Sequence, residues 1–297
     1  MKELMLVTGG AGFIGSHLTE RLLALGYRVR VLDNLSQGNR EWVPAQVEMI
    51  EGDIVDAATC KKACEGVHGV FHMAAMSKVA PSIDRIEFCT EQNVNGTQNL
   101  LVAARDAKVT KVVYSASSTY YGNQPAPQRE TSLPDCLNPY ALSKYVGEQY
   151  CELFTRLYKL PTVSLRYFNV YGPRQPSVGA YALVLGIFLR QKRAGEALTI
   201  HGSGEQRRDF VHVRDVVEAN LRAFQRPVQG TALNVGSGKN HSVREIADLI
   251  SSNQVFELRR AGDAEITLAD TTRVKEALGW EAAVPLEVGL RELVDSG

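Results

Sequence analysis

Tyr140 and Lys144 stand four residues apart in the run Asn138-Pro139-Tyr140-Ala141-Leu142-Ser143-Lys144. Asn138 can cap a helix and Pro139 suits its first turn, so the run predicts a helix start with phenol and ammonium on one face. A phenol titrates near pH ~10 and is a poor base at neutral pH. A neighbouring cation favours its ionised form. Lowering the phenol by three units takes about 4 kcal/mol of differential stabilisation, much of which one ammonium in a poorly solvated cleft can supply. Upstream, Val112-Val113-Tyr114-Ser115-Ala116-Ser117-Ser118-Thr119 reads as a strand running into a hydroxyl cluster. Ser117 at its end can hydrogen-bond a substrate oxygen and exchange a proton with Tyr140. Tyr-x-x-x-Lys also arises by chance on surface helices, and hydroxyl clusters also make ordinary turns. The set therefore takes its meaning from what surrounds it.

A glycine-rich turn supplies that context. The apolar run Leu4-Met5-Leu6-Val7 stops at Thr8, glycines follow at Gly9, Gly12 and Gly15, and an amphipathic run extends from Phe13 to Leu25. This is a buried strand, a tight turn and a helix start. Gly9 permits the turn, Gly12 lets backbone approach a pyrophosphate, and Gly15 lets helix pack on strand. The first N–H groups of the helix and its positive end then face the phosphates. Asp33 closes the next apolar run, 18 residues beyond Gly15, where an acid can accept the ribose hydroxyls of an adenosine. An ordinary strand-to-helix turn would not call for that acid.

The elements that must position these groups follow from periodicity. Strands are predicted near 4–8, 28–33, 47–51, 69–72, 111–115 and 162–167, and helices near 13–25, 56–65, 90–107 and 140–158. Their alternation implies an α/β fold, a Rossmann-type doubly wound parallel sheet. Thr8, Asp33, Asp53, Ala74, Ser117 and Asn169 follow strand ends and should share one crevice. After Gly172 the pattern changes to a Pro/Gly loop, a helix near 180–194, short strands, a helix near 243–252 capped by Ser242, and one from Thr271 or Thr272 to Leu278. Residues 1–172 are thus expected to form the dinucleotide-binding domain. Residues 173–297 should form mainly a smaller α/β substrate lobe, with some segments free to return to the main sheet.

Lys and Arg number 33, as do Asp and Glu, over 297 residues. This balance predicts no nucleic-acid or membrane partner. No apolar run approaches the ~18 residues of a membrane span, and the first strand begins too early to leave room for a signal peptide. Five scattered cysteines, an odd count, argue against a disulfide framework and for a reducing, cytoplasmic setting. Cys60 and Cys64 could share a metal on one helix face, but no second Cys or His pair joins them and no HExxH occurs. Helix packing is the expected role, and no metal is predicted.

The chain resembles the extended short-chain dehydrogenase/reductases, and among them the UDP-hexose (UDP-glucose/UDP-N-acetylglucosamine) 4-epimerases. The resemblance rests on Thr8 to Gly15, Asp33-Asn34-Leu35-Ser36, Gly52-Asp53-Ile54, His72-Met73-Ala74-Ala75, Asn93-Val94-Asn95-Gly96-Thr97, Ser115 to Gly122, Tyr140 to Lys144 and Arg166-Tyr167-Phe168-Asn169. It implies bound NAD and a catalytic set of Ser117, Tyr140 and Lys144, with Thr119 as auxiliary. Asp33 and Asn34 would hold the adenosine ribose, Asp53 and Ile54 the adenine. Ala74, Ala75, Asn93 and Lys144 would line the nicotinamide half, beside Tyr167 and Phe168. Phe13, Ile14, Ser36, Gly38 and Ser115 complete the implied cofactor set. Lys78, Ser118, Asn169 and Ala182 are implied on the substrate side. Arg208-Asp209-Phe210-Val211-His212-Val213 and Arg260-Ala261-Gly262-Asp263 match the family's two phosphate-binding arginine motifs, and guanidinium forks suit diphosphate oxygens. The family also implies a homodimer through helices 90–107 and 140–158, where Leu100, Leu101, Val102, Val146, Leu153, Phe154 and Leu157 supply apolar surface.

The implied reaction is epimerisation at C4. Tyr140 takes the proton of the sugar 4-hydroxyl while NAD takes the C4 hydride, and hydride returns to the opposite face after the 4-keto sugar turns about its diphosphate tether. The related 4,6-dehydratases carry an Asp-Glu pair where this chain has Ser118 and Thr119, and no carboxylate lies between Ser115 and Arg129. A UDP-glucuronate epimerase or another nucleotide-sugar oxidoreductase remains an alternative. A non-enzymatic NAD(H)-binding regulator is a further one, although a pure binder has no need of the Ser-Tyr-Lys set. Seven residues after Arg260, glucose/galactose-restricted members carry a tyrosine. Thr267 stands there, which leaves room for a 2-N-acetyl group, and Gly172 to Ala182 resembles the N-acetyl-accepting members. UDP-GlcNAc/UDP-GalNAc is the expected pair, with UDP-Glc/UDP-Gal as a second.

Overall fold

Leu4 and Leu6 pack into one apolar cluster and Met5 and Val7 into another, so the first strand is buried on both faces. A continuous apolar run of this kind belongs inside a parallel sheet covered on both sides. The computed structural model describes residues 2–178, 183–258 and 265–295. Its elements begin with β1 (Leu4–Thr8), α1 (Phe13–Ala24), β2 (Arg28–Asp33), β3 (Glu48–Glu51), α2 (Ala57–Cys64) and β4 (Gly69–His72). Next come α3 (Val79–Asp84), α4 (Ile86–Thr90), a π-helical segment at Glu91–Asn95, and α5 (Gly96–Asp106). β5 (Lys111–Ser117), α6 (Pro139–Tyr158), β6 (Thr162–Tyr167) and β7 (Asn169–Tyr171) follow. The second half carries α7 (Val184–Arg193), β8 (Leu198–His201), β9 (Arg207–Arg208), β10 (Phe210–His212), α8 (Val213–Gln225) and β11 (Thr231–Val235). It ends with β12 (His241–Ser242), α9 (Val243–Ile250), β13 (Gln254–Glu257), α10 (Thr272–Leu278) and α11 (Leu286–Asp295).

Seven strands form the central sheet in the order β11-β6-β5-β4-β1-β2-β3, and every neighbouring pair is parallel. The chain winds outward from β1 through β2 to β3, then returns to β4 on the other side of β1. That reversal opens a crevice at the carboxyl ends of β1 and β4, where Thr8 pairs with His72. Ligands of doubly wound folds sit at such a switch point.

On one face Leu18 and Leu22 of α1 and Val216 and Leu221 of α8 cover Met5, Val31 and Val113. On the other, Cys60 and Cys64 of α2, Leu100 and Leu101 of α5 and Phe154 of α6 cover Leu6, Val70 and Val112. The two cysteines therefore pack, with Cys60 Sγ donating to the Ile54 carbonyl at 3.2 Å. No metal-competent cluster exists among the described residues. β11, from beyond residue 172, pairs with β6 in the main sheet. The smaller lobe has its own core, including Leu185 and Phe188 of α7, Ile200 of β8, Ile246 of α9 and Leu290 of α11. Ser242 caps α9 in a reciprocal box with Glu245, as its sequence predicts. Among the described residues no helix is long and apolar enough to cross a membrane.

Candidate active site

The Gly-rich turn is fixed by contacts that only glycine allows. Gly9 has φ +69°, and a Cβ there would lie 2.7 Å from the Ala74 nitrogen. At Gly15 it would lie 2.1 Å from the Gly9 carbonyl oxygen. At Gly12 the Gly9 oxygen is the only atom a Cβ would meet within 4 Å, so a side chain would project into the crevice instead. No side chain caps α1 at Gly12, and its first turn carries no acid. The N–H groups of Phe13, Ile14 and Gly15 thus lack intrahelical acceptors, as an anion site at a helix N-terminus requires. Thr8 Oγ1 accepts from the Met73 and Ala74 nitrogens, each at 3.2 Å, and meets His72 Nδ1 at 2.8 Å. The end of β1, just before the glycine turn, thereby holds the loop that follows β4.

Asp33 ends β2 facing the same space. Its carboxylate accepts from the Ala11 nitrogen at 3.0 Å and the Leu35 nitrogen at 2.9 Å. Burial raises its pKa, and those two bonds pull it down. Each oxygen retains a lone pair for a ribose hydroxyl. Asn34 Nδ2 donates to Asp53 Oδ2 at 2.8 Å, and Gln92 Nε2 donates to the same oxygen at 3.1 Å. Ser36 Oγ donates to Asn34 Oδ1 at 2.6 Å. These bonds rigidify this end of the crevice.

At the other end Asn138 accepts from the Ala141 nitrogen at 2.9 Å and caps α6, and Ser82 Oγ accepts from the Tyr140 nitrogen at 3.1 Å. Tyr140 and Lys144 share the inner face of that helix. Lys144 Nζ donates to the Ser115 carbonyl at 2.8 Å and sits 5.0 Å from the Tyr114 ring centre. Burial pushes its pKa down to about 8. Burial also raises the Tyr140 phenol, while its hydrogen bond with Ser117 pulls the other way. The Lys144 ammonium donates to a strand carbonyl, and burial favours the neutral form of the Tyr140 phenol. Ser117 Oγ also meets Thr119 Oγ1 at 2.9 Å, so three hydroxyls form a chain.

One cavity of about 950 Å³ joins both ends and opens toward the smaller lobe. The expected cofactor residues line it with one exception, and the expected substrate residues Lys78, Ser117, Ser118, Thr119, Asn169, Arg208 and Thr267 line it as well. The exception is Asn93, which is 1% exposed. Its amide grips the Met76 backbone at both the nitrogen (2.7 Å) and the carbonyl (2.9 Å), and donates to Ser143 Oγ at 2.9 Å. Asn93 braces the wall from behind rather than facing a ligand. Ala182 and Arg260 lie outside the described residues. Arg208 reaches the cavity from β9, its guanidinium donating to the Arg207 carbonyl at 3.0 Å and the Glu265 carbonyl at 3.3 Å. Burial lowers Lys78 to about 8.

Trp42, Gln92, Arg174 and Gln175 also line the cavity, and sequence reasoning assigned none of them. Trp42 belongs to a short 3-10 turn between β2 and β3 and carries no motif. Gln92 precedes Asn93 in a π-helical segment, and the two successive side chains diverge, Gln92 to Asp53 in the crevice and Asn93 to Met76 behind its wall.

Residues 5–236 match the NAD dependent epimerase/dehydratase family. A UDP-glucose 4-epimerase of Mycolicibacterium smegmatis is 39% identical over 304 residues, covering 98% of this chain and 97% of that one. The solved UDP-glucose 4-epimerase of Thermotoga maritima, crystallised with UDP-glucose, superposes with a TM-score of 0.95 at 37% identity, covering 98% of this chain and 97% of the other. The UDP-N-acetylglucosamine 4-epimerase of Methanobrevibacter ruminantium, in complex with UDP-N-acetylmuramic acid, also gives 0.95, at 32% identity, covering 99% and 98%.

Proposed function

The chain belongs to the NAD dependent epimerase/dehydratase family, and from that premise we propose that it inverts C4 of a UDP-sugar, with UDP-GlcNAc/UDP-GalNAc as the favoured pair and UDP-Glc/UDP-Gal as a second. Its relatives make it an NAD-dependent nucleotide-sugar 4-epimerase, an isomerase. The observation that carries the reading is that one cavity joins the Gly9–Gly15 turn and Asp33 to Ser117, Tyr140 and Lys144, and these in turn to Asn169, Arg208 and Thr267. The glycine cradle and the Asp33 carboxylate fit a dinucleotide with a free ribose diol.

NAD, when bound, supplies a hydride acceptor and donor for C4 and a positive charge that favours the phenolate. Everything else falls to the chain. Tyr140 takes the proton of the 4-hydroxyl and later returns one, and Ser117 holds that oxygen while relaying through Thr119. Lys144, anchored on Ser115, would hold the nicotinamide ribose and adds its positive charge to the cleft. Arg208 and Asn169 hold the diphosphate, so the sugar can turn while the nucleotide stays fixed. Thr267 closes the sugar end with a small side chain, which supports acceptance of a 2-N-acetyl group.

The five free cysteines suit the reducing cytoplasm. A homodimer is our proposal for assembly. Leu142 and Leu157 of α6 are exposed and suit a second copy, whereas Leu100, Leu101 and Phe154 are buried in the chain's own core. The test is incubation with UDP-Glc, UDP-GlcNAc and UDP-glucuronate, without added NAD, followed by separation of C4 epimers. Conversion of UDP-GlcNAc supports the reading. Conversion of UDP-glucuronate alone overturns the sugar assignment, and no conversion of any of them overturns the reaction.

A further inference from the structure

The segment Gly172–Val178 connects the two halves of the chain and crosses the first turns of α1. Three contacts fasten it there. The Pro173 carbonyl meets His17 Nε2 at 2.9 Å. Arg174 Nη2 donates to Glu20 Oε1 at 2.6 Å, and Arg174 Nη1 donates to Ser16 Oγ at 3.1 Å. The same guanidinium lies 5.8 Å from the Trp42 ring centre, so one side chain gathers α1, the β2–β3 connection and the segment itself. Arg174 has φ +65°, a left-handed conformation uncommon for a residue with a side chain. Such conformations persist where the surroundings over-determine them.

The inner side of the segment faces the cofactor crevice. Arg174, Gln175 and Pro176 line the cavity together with Gly12, Phe13 and Gly15. Gln175 Nε2 and Oε1 are both buried and have no hydrogen-bond partner among the described residues. A buried amide with both ends unpaired fits a site whose ligand brings donors and acceptors.

We propose that Gly172–Val178 is a strap that retains the dinucleotide, and that Arg174 is the residue that fastens it across the Gly-rich turn. A ligand seated against Gly12 and Gly15 shares its cavity with Arg174, Gln175 and Pro176, and the strap retains it there until it lifts. Lifting it breaks the Glu20, Ser16 and His17 contacts together, because all three are made to one helix. Lysine cannot replace this arginine, since one ammonium does not bridge Ser16 and Glu20 with the geometry of a planar fork. The strap would keep the oxidised or reduced cofactor in place while the sugar exchanges. This rests on cofactor binding alone and does not depend on which sugar is taken.

The test is the release rate of NADH from the preloaded protein, followed by loss of bound-NADH fluorescence after mixing with excess NAD. Arg174→Ala should release NADH about tenfold faster or more, as expected for loss of charge-assisted hydrogen bonds. Arg174→Lys should also be faster than the parent, and Glu20→Gln should fall between parent and Arg174→Ala. The double variant Glu20→Gln/Arg174→Ala should match Arg174→Ala alone, because both act through one contact. Parental release rates in Arg174→Ala and Glu20→Gln overturn the strap. If Arg174→Ala does not fold, the half-exposed Glu20 decides the matter by itself. A parent that binds no NADH overturns the cofactor assignment and the strap with it, whereas a failure of the sugar assignment leaves these rates untouched.

Discussion

Thr267 Oγ1 accepts a hydrogen bond from Asn169 Nδ2 at 3.2 Å. The same oxygen accepts from the Asp209 nitrogen at 3.2 Å. Thr267 thus braces Asn169 and Asp209 where it lines the cavity, and the proposed function also gives its small side chain the sugar end. Two variants separate these roles. Thr267→Tyr should suppress turnover of the N-acetylated pair far more than that of UDP-Glc. Thr267→Val keeps the volume and loses the brace, so it should raise KM for every UDP-sugar alike, about three- to tenfold. Equal effects of Thr267→Tyr on both sugar pairs would remove the size argument.

Tyr140 and Ser117 differ in what they contribute. Tyr140→Phe should lower kcat by about 10³-fold or more, and Ser117→Ala by about 10²-fold, with KM nearly unchanged. Steady-state kinetics with bound NAD confirmed by absorbance gives the comparison. Activity of Tyr140→Phe within tenfold of the parent would assign the proton to another group.

Arg166 of β6 and Glu148 of α6 form a buried two-contact pair, Nη2 to Oε1 at 2.6 Å and Nε to Oε2 at 2.9 Å. The guanidinium carbon lies 3.8 Å from the Tyr120 ring centre. The pair fixes α6, and so Tyr140, against the sheet. Glu148→Ala leaves a buried guanidinium without its carboxylate and should cost about 3–5 kcal/mol in urea unfolding. A loss below about 1 kcal/mol would show that the helix is held by packing alone.

Acid should destabilise the fold through His72. Burial lowers its pKa to about 3, while the ring in the unfolded chain titrates near 6.5. Between these values the unfolded state binds the extra proton. Stability is then full above pH 6.5 and falls as pH drops, by up to about 1.4 kcal/mol per unit for one group. His212, lowered to about 4, acts in the same sense. His72→Gln should reduce the slope of stability against pH between 6 and 4 by about one proton. An unchanged slope would mean that carboxylates alone set the acid limb.

Much of this site was legible in the sequence because its chemistry is local. Strand, glycine turn and helix share the span Leu4 to Ala24, and the Tyr140–Lys144 spacing fixes one helix face. What escaped depends on contacts across the chain. Arg174 meets Ser16 over a separation of 158 residues, and nothing in either neighbourhood announces the pair. β11 escaped because Thr-Ala-Leu-Asn-Val is short and carries a buried Asn234. Its Nδ2 is satisfied by the Gln128 and Asp270 carbonyls, and its Oδ1 by Tyr121. Asn93 was placed correctly in the chain and misread in direction. A π-helical turn rotates its amide onto Met76, and no single-sequence pattern encodes that rotation.

The most direct test of the mechanism follows the hydrogen at C4. UDP-GlcNAc deuterated at C4 should yield UDP-GalNAc that retains the label at C4, with no added cofactor and no deuterium passing to water. The hydride would then have left and returned within one closed cavity. Release of the label to solvent, or an unaltered C4 centre in cofactor-replete protein, would contradict the account.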